Sequence, residues 1–170
     1  MVFTSLDLEH EEALKDFLRD FERAGEENIP AYFADPSWPH AEIVRRFEEW
    51  SRGEKLEEEW VPSTTRFLLH EGRILGVCNL RHRLNDHLWR IGGHVGFAVR
   101  PSERRRGYGT RLLELAKRQA RDMGIDRLLV TCGAGNVASR RVIQTCGGAL
   151  SDEISDEKSG EDTFRFWIDL

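Results

Sequence analysis

The segment VRPSERRRGYGT, Val99–Thr110, places four arginines beside a Gly-x-Gly sequence in a chain whose net charge is −5. Alternating apolar residues before it predict a strand, and apolar residues at helical spacing predict a helix over Thr110–Met123. Glycines between a strand and a helix let consecutive N–H groups turn toward one point, where the helix adds the positive end of its dipole. Arginines add charge that suits phosphate oxygens. The segment therefore predicts a diphosphate-binding turn, which is too short for a triphosphate with magnesium.

Two common phosphate motifs do not fit this segment. It contains no Gly-Lys-Ser/Thr, so it is not the P-loop of a nucleoside triphosphatase. The stretch GYGTRL also lacks the third glycine of the dinucleotide fingerprint. The alternative interpretation is a solvated run of arginines beside an ordinary turn.

The chain has the length and composition of a single globular domain, which we expect to span residues 1–170. No apolar run approaches the roughly 18–20 residues of a membrane span, and the first residues do not have a signal-peptide pattern. We therefore expect a cytoplasmic protein with no membrane partner. The acidic net charge argues against a nucleic-acid partner. The three cysteines have no metal-ligand spacing, which predicts reduced, buried thiols and no metal site.

Hydrophobic periodicity along the chain predicts a mixed α/β domain of the α+β type. The predicted elements before the arginine segment are a short first strand, helices near Leu14–Phe21 and His40–Ser51, and a hairpin turning at Glu71-Gly72. Those after it are a strand over Asp126–Cys132, a helix capped by Asn136 and ended by Gly147-Gly148, and a hairpin whose loop contains Ser159-Gly160. The last strand, Phe164–Leu170, either completes the sheet or pairs across a homodimer.

Two motifs together resemble the GNAT superfamily of acetyl-CoA-dependent N-acetyltransferases. VRPSERRRGYG is similar to the superfamily's pyrophosphate loop, Arg/Gln-x-x-Gly-x-Gly/Ala after a strand that ends in Val-x-Pro, with Arg104, Gly107 and Gly109 at the marked positions. NVASRRVIQTCGG is similar to its second signature, in which an Asn opens a helix that ends at a Gly eleven residues later. Asn136 and Gly147 match that spacing, and the order of predicted elements fits the superfamily over essentially the whole chain.

The resemblance implies a fold and a cofactor site. The fold is a central, mixed and mostly antiparallel sheet, flanked by about four helices, in which the strands through Val99 and Thr131 splay apart around the pantetheine arm. Backbone groups of Phe97, Ala98 and Val99 would then contact the pantetheine and the thioester. The pyrophosphate loop would consist of Arg104, Arg105, Arg106, Gly107, Tyr108, Gly109 and Thr110, with Tyr108 facing outward. Asn136 and Ser139 would lie near the cofactor, although Asn136 can equally be only a helix cap.

The reaction implied is direct attack of a primary amine on acetyl-CoA. A lysine-like amine has a pKa near ~10.4, so a base or a water chain must remove its proton first. Many members have a Tyr seven residues after the Asn to protonate the thiolate, but this chain has Ile143 there. His94 and Ser139 are the remaining candidate catalytic residues, with Cys146 as a third. Local packing roles for them, and departure of the thiolate without an enzymic acid, stay open.

We expect the acceptor, a small-molecule or peptide amine, to bind near Gly25–Trp38 and near strands at Leu80–Leu88. The acidic residues Glu26, Glu27 and Asp35 there, with the aromatic residues Tyr32, Phe33 and Trp38, would suit a cationic amine with an apolar body. The same aromatic residues could instead cover the core.

Other functions remain open on the sequence. Within the same class, the chain could transfer a longer acyl group, or could act on a protein N-terminus or a lysine. In another class, it could be a CoA-binding domain that has lost catalysis, because Ile143 replaces the tyrosine that often acts as the acid in the family. An arginine-patch nucleic-acid binder is disfavoured by the net charge and by the lack of aromatic residues between the arginines.

Overall fold

The computed structural model describes residues 1–26, 28–155, 160 and 162–170. The elements are β1 Val2–Thr4, α1 Glu11–Arg23, α2 His40–Arg52, β2 Ser63–His70, β3 Arg73–Arg81, α3 Asp86–Arg90, β4 Val95–Val99, α4 Tyr108–Asp122, β5 Arg127–Gly133, α5 Val137–Thr145, β6 Ala149–Ser155 and β7 Asp162–Asp169. Within these ranges, no helix has the length and apolar character that crossing a bilayer requires. The predicted last hairpin is present, but Ser159 of its loop lies outside the described residues.

The strands form two antiparallel sheets, in the orders β1-β2-β3-β4 and β5-β7-β6. The predicted α/β fold is confirmed, including the separation of the strands through Val99 and Thr131, which here divides the sheet in two. The terminal strand β7 is paired on one side with β5 and on the other with β6. It therefore completes a sheet, and the alternative that this strand pairs across a dimer is wrong because both of its edges are occupied.

Local sequence explains most of these elements. The β2–β3 hairpin turns at Glu71 and Gly72, whose φ angles are 50° and 74°. Positive φ at both central residues of a two-residue turn matches the right-handed twist of the strands. The predicted strands near Leu80–Leu88 are wrong in their second half, because β3 ends at Arg81 and a short helix follows. Asn85 starts that helix by accepting the Leu88 N–H at 2.9 Å.

Helices cover the first sheet on both faces. Helices α1 and α2 bury an aromatic cluster that contains Phe17, Phe47 and Phe67. Helices α4 and α5 pack on the opposite face, in a cluster that continues into the second sheet through Phe166 and Ile168. All three cysteines are buried and unpaired, as their number and spacing predict.

Arg100, the first residue after β4, is a structural anchor, although it belongs to the arginine segment. Its side chain is only 1% exposed. Its Nη2 donates to the carboxylate of Asp16 at 2.5 Å and to the Asp16 carbonyl at 2.6 Å, and its Nη1 donates to the Ile74 carbonyl at 3.2 Å. Its Nε lies 3.4 Å from the carboxylate of Asp20. Arg100 thus fixes α1 against the end of β4, where the glycine turn begins.

Replacing Arg100 should show how strongly this anchor stabilises the fold. We expect Arg100→Met to lower the free energy of unfolding by about 3 kcal/mol, because it leaves a partly buried carboxylate without its partner. The matched control is Arg52→Gln, which removes an exposed pair with Glu54 and should lower it by less than about 1 kcal/mol. Urea unfolding of the three proteins measures both values, and equal losses in the two variants would contradict the anchoring role.

Candidate functional site

Hydrogen bonds connect the start of β4 to β5, at His94 and Leu129. The His94 N–H donates to the Leu129 carbonyl at 2.7 Å, and the Leu129 N–H donates back to His94 Nδ1 at 2.9 Å. The neighbouring Gly92 N–H donates to Thr131 Oγ1 at 3.0 Å. Gly93 approaches so closely that a Cβ there would lie 2.3 Å from the Leu129 carbonyl oxygen. Only glycine fits this junction, which we call the vertex (residues 92–94 with Leu129 and Thr131).

Beyond the vertex, β4 turns toward β5 backbone groups that take part in no strand pairing among the described residues. The Arg100 N–H donates to the Leu75 carbonyl at 2.9 Å, which fixes the antiparallel register with β3. Backbone groups of alternate residues point to opposite sides of a strand. The N–H and C=O of Phe97 and Val99 therefore face β5, and their predicted contact with the pantetheine stays a prediction. Those of Ala98 face β3 instead, so the backbone contact predicted for Ala98 is not available.

Strand β5 presents a complementary edge. The Ala134 N–H donates to the Asp162 carbonyl at 2.7 Å, so the backbone groups of Thr131 and Gly133 turn away from β7 and toward β4. Among the described residues, no strand pairing joins β4 to β5. The result is a wedge, open between Phe97–Val99 and Thr131–Gly133, that can accept one extended chain with amide groups.

The turn after β4 presents a row of backbone donors. Arg105 and Gly107 have φ angles of 63° and 82°, and Gly107 is the N-cap of α4. A Cβ on Gly107 would meet nothing within 4 Å, so what requires glycine here is the backbone conformation and not packing. Within the described chain, the N–H groups of Arg105–Thr110 have no hydrogen-bond partner. With the dipole of α4, this arrangement of donors is of the kind that suits an anion.

Gly109 has a different role from Gly107. A Cβ there would lie 3.1 Å from Val142 Cγ2, so Gly109 allows α4 to pack closely against α5. Tyr108, predicted to face outward, is instead partly buried against the core beneath α4. A tyrosine ring is more stable on this apolar surface than in water, and this explains the difference.

The arginines of the turn are mostly paired with acids. Arg104 donates to both carboxylate oxygens of Glu26, at 2.6 and 2.7 Å, and this lowers the pKa of Glu26. Arg106 donates to Glu103 at 2.7 Å. Arg105 has no side-chain partner in the described part of the chain, so its charge is available at the turn. Glu26, predicted on the acceptor side, therefore lies against the predicted cofactor turn.

Helix α5 begins at the predicted Asn136. Its Oδ1 accepts the Ser139 N–H at 3.0 Å, so Asn136 caps the helix. Ser139 is partly exposed in the first turn. Ile143 is fully buried in the core, so this helix has an apolar residue where a tyrosine would supply a proton. Burial raises the pKa of the Cys146 thiol to about 11, so Cys146 is a protonated core residue at neutral pH.

His94 is buried at the vertex. Its pKa is lowered, mainly by burial and further by the positive charge of Arg81. Because Nδ1 accepts the Leu129 N–H, the neutral ring carries its proton on Nε2. In this tautomer His94 has no lone pair left to take a proton from an amine, although it can donate a hydrogen bond through Nε2.

A cavity of about 440 Å³ lies beside the vertex, on the α1–α2 face of the first sheet. Its lining includes Phe33, Glu58, Glu59, Trp60, Val61, Ser63, Asn79, Arg81, Asn85, His87 and Leu88. The sequence predicted Phe33 and the Leu80–Leu88 stretch on this side. It missed Trp60 and Asn79, because nothing local in an acidic loop or a buried strand marks a residue as cavity-lining.

The other residues predicted for the acceptor side are engaged elsewhere. Tyr32 packs against Phe47, and burial raises its pKa. Trp38 packs under the guanidinium of Arg46, 5.4 Å from the ring centre, and Asp35 accepts from the Ser37 backbone. Glu27 lies outside the described residues. Among the residues that are described, no three His, Cys, Asp or Glu side chains group as metal ligands.

A sequence model of the acetyltransferase (GNAT) family matches residues 14–147, well over half of the chain. The chain belongs to the GNAT family of acetyltransferases. No curated protein matches this GNAT sequence significantly. Its motifs, the turn before α4 and the helix opened by Asn136, fall inside the matched range.

Solved structures share the fold of this GNAT chain at low identity. A candidate acetyltransferase from Salmonella typhimurium, solved with its cofactor acetyl-CoA, has a TM-score of 0.65 at 15% identity and covers 99% of this chain and 93% of its own. An acetyltransferase from the same organism that modifies the N-terminal serine of a 50S ribosomal subunit protein has a TM-score of 0.70 at 13% identity, covering 99% and 94%. A ribosomal-protein-alanine N-acetyltransferase from Brucella melitensis has a TM-score of 0.66 at 16% identity and covers 100% of both chains.

The neutral state of His94 predicts a pH dependence of stability. A histidine whose pKa is lowered by folding binds protons less readily than in the unfolded chain, so its contribution is complete above the unfolded value of ~6.5 and is lost as pH falls through the lowered value. We expect the free energy of unfolding to fall between about pH 8 and about pH 5, and to fall less steeply in His94→Asn. Urea unfolding at several pH values measures this.

A second histidine provides the control for this prediction. Burial also lowers the pKa of His82, so His82→Asn should remove a separate part of the same pH dependence. If the pH dependence of His94→Asn equals that of the unmodified protein, the assigned neutral state is wrong.

Proposed function

We propose that this GNAT chain transfers an acetyl group from acetyl-CoA to a primary amine by direct attack. The single observation that carries the proposal is the open wedge between β4 and β5, which leads into the unpartnered N–H groups before α4. A pantetheine arm has amide groups that suit the wedge, and a pyrophosphate suits the turn. Membership of an acetyltransferase family indicates acetyl-CoA as the acyl donor. The similar structure solved with acetyl-CoA supports this choice of donor.

In this assignment the turn binds the pyrophosphate mainly through its backbone. The N–H groups of Arg105–Thr110 donate to the phosphate oxygens, the α4 dipole adds favourable potential, and Arg105 supplies a mobile charge. Arg104 and Arg106 instead hold the turn in shape through Glu26 and Glu103. Asn136 orders the start of α5, and Ser139 faces the cofactor from there.

The wedge holds the thioester between its two edges. Phe97 and Val99 offer backbone groups to the pantetheine, and the Val99 carbonyl already accepts from Arg104 Nε at 3.2 Å. An N–H of β4 directed into the wedge, such as that of Phe97, can stabilise the oxyanion that forms on attack. The C–N bond forms first and leaves a tetrahedral oxyanion. When the carbonyl re-forms, the C–S bond breaks and the nitrogen loses a proton to water, so the products are an amide, the CoA thiolate and a proton.

In this proposal, water removes the proton of the attacking amine, and no strong protein base is assigned to that step. The amine must lose a proton before or during attack, and His94 has no free lone pair for it, so we assign His94 a positioning role at the vertex. Ser139 stays the candidate donor to the departing thiolate. Without a tyrosine at position 143, the thiolate can also leave unprotonated, because a thiol titrates near ~8.5.

A second candidate function is CoA binding without catalysis. The observation that favours it is the fully buried Ile143, which removes the usual acid. The two functions differ in one measurable respect, since a binding domain holds acetyl-CoA without releasing free CoA when amines are added.

A single change in the turn tests the cofactor site. In Gly107→Asp the new residue tolerates a positive φ, so the turn can keep its conformation. Its carboxylate lies in front of the row of N–H groups and repels phosphate, so we expect the affinity for acetyl-CoA to fall by at least about tenfold. Gly124→Asp is the matched control, because Gly124 has a φ of 76° and open space around it at the far end of α4. Calorimetric titration with acetyl-CoA and CoA measures both variants.

The outcomes of this titration are distinct. Tight binding by the unmodified protein and Gly124→Asp, with weak binding by Gly107→Asp, supports the proposed site. Equal affinities in all three proteins would place the cofactor elsewhere. Failure of the folded, unmodified protein to bind acetyl-CoA or CoA would remove the transferase and the binding-domain functions together.

A further inference from the structure

The cavity beside the vertex contains an arginine without an acidic partner. Arg81, the last residue of β3, uses Nη1 to donate to the carbonyls of Gly92 and Gly93, at 2.9 and 3.0 Å. No carboxylate of the described residues lies within 4.0 Å of it. By contrast, the deeply buried Arg100 and the turn residue Arg104 both have carboxylates. Arg81 is therefore a cation at the cavity wall whose hydrogen-bond partners are two neutral backbone carbonyls.

The remaining donors of Arg81 are free to bind a ligand. In the described part of the chain, Nε and Nη2 have no hydrogen-bond partner, while Nη1 is held by the two carbonyls. The guanidinium also lies over the ring of Phe33, 5.7 Å from its centre. Burial without a counter-charge lowers its pKa to about 10. A partly buried, unpaired cation is costly, and an anionic ligand would offset that cost.

The cavity wall combines an apolar surface with polar groups, one of which is a buried atom that lacks a partner. Phe33 and Trp60 pack edge to face with their ring centres 5.8 Å apart, and Leu88 continues this surface. Asn79 is 1% exposed, and its Oδ1 has no hydrogen-bond partner. Buried polar atoms are nearly always satisfied, so an unpartnered acceptor in a cavity wall indicates a polar ligand group.

The position of Arg81 relates the cavity to the wedge. The two carbonyls that hold its Nη1 belong to Gly92 and Gly93, residues of the vertex. Asn79 is directly opposite Gly96 of β4. An anionic group on Arg81 therefore lies next to the strand that we assign to the thioester, and the rest of the same small molecule can reach the wedge.

We propose that the acceptor is a small amine that also carries a carboxylate and an apolar body, of the size of a single amino acid. Arg81 binds the carboxylate through Nε and Nη2, a bidentate geometry that a guanidinium offers and an ammonium does not. Phe33, Trp60 and Leu88 contact the apolar body. The exposed Glu58 and Glu59 at the rim attract the ammonium end before it loses its proton. This assignment rests on the proposed acetyl transfer.

The test compares acceptors that differ only in the carboxylate. Phenylalanine, leucine and methionine are each paired with their primary amides, which keep the amine and the apolar body. Release of the CoA thiol gives kcat/KM, and quenching of tryptophan fluorescence in the CoA-saturated protein gives binding independently of turnover. We expect the unmodified protein to favour at least one free acid over its amide by at least about tenfold in kcat/KM and in affinity.

Variants of Arg81 show whether this residue carries the preference. Arg81→Gln should lose at least about tenfold in affinity for the preferred acid while changing little toward the amide. Arg81→Lys keeps the charge and should keep part of the preference, which covers the case in which the glutamine variant does not fold. Arg83→Gln removes an exposed arginine two residues away, outside the cavity, and should behave as the unmodified protein does.

The outcomes separate this inference from the proposed function. If the amides bind and react as well as the acids, or if both Arg81 variants lose acid and amide equally, the carboxylate assignment is overturned while acetyl transfer stands. The same holds if the CoA-bound protein neither binds nor acetylates any of the acids. Loss of acetyl-CoA binding in the unmodified protein would instead overturn the proposed function.

Discussion

The paired hydrogen bonds between His94 and Leu129 set the geometry of the whole site. They hold β4 against β5 at one point, and Gly93 allows the backbones to approach closely enough for them to form. From that point onward the two strands turn N–H and C=O groups toward each other, and in the described part of the chain no strand pairing joins them. Strand edges are normally covered or paired, and two edges that face each other without pairing leave space in which the proposed extended ligand could pair with both. The neutral state of His94 follows from the same bonds.

Much of this architecture could be predicted from the sequence because it depends on local chemistry. The positive φ of Gly107, the Asn136 cap and the Glu71-Gly72 turn each follow from neighbouring residues. Other features depend on residues that are distant in the chain. Arg104 is paired with Glu26, 78 positions away, and this pairing left less free charge at the turn than four clustered arginines suggest. That Arg81 has no acidic partner among the described residues could not be predicted either, because it depends on where the folded chain places distant Asp and Glu side chains.

The distribution of charge explains how an acidic protein can hold an anionic cofactor. Acids neutralise three of the four clustered arginines, with Asp16 on Arg100, Glu26 on Arg104 and Glu103 on Arg106. These pairs connect the turn to α1 and to the residues before it. In the proposed site, attraction for phosphate would come from oriented N–H dipoles and the end of α4, which do not change the net charge of the surface.

The positions of the turn and the cavity along β4 have a kinetic consequence. The turn follows the last residue of β4, whereas the cavity with Phe33 and Arg81 lies beside the vertex, at the other end of this strand. With the proposed donor and acceptor sites, the two substrates would enter from different ends of β4, and neither would have to leave before the other arrives. Such an enzyme would form a ternary complex, and its double-reciprocal plots at several fixed donor concentrations would intersect instead of running parallel.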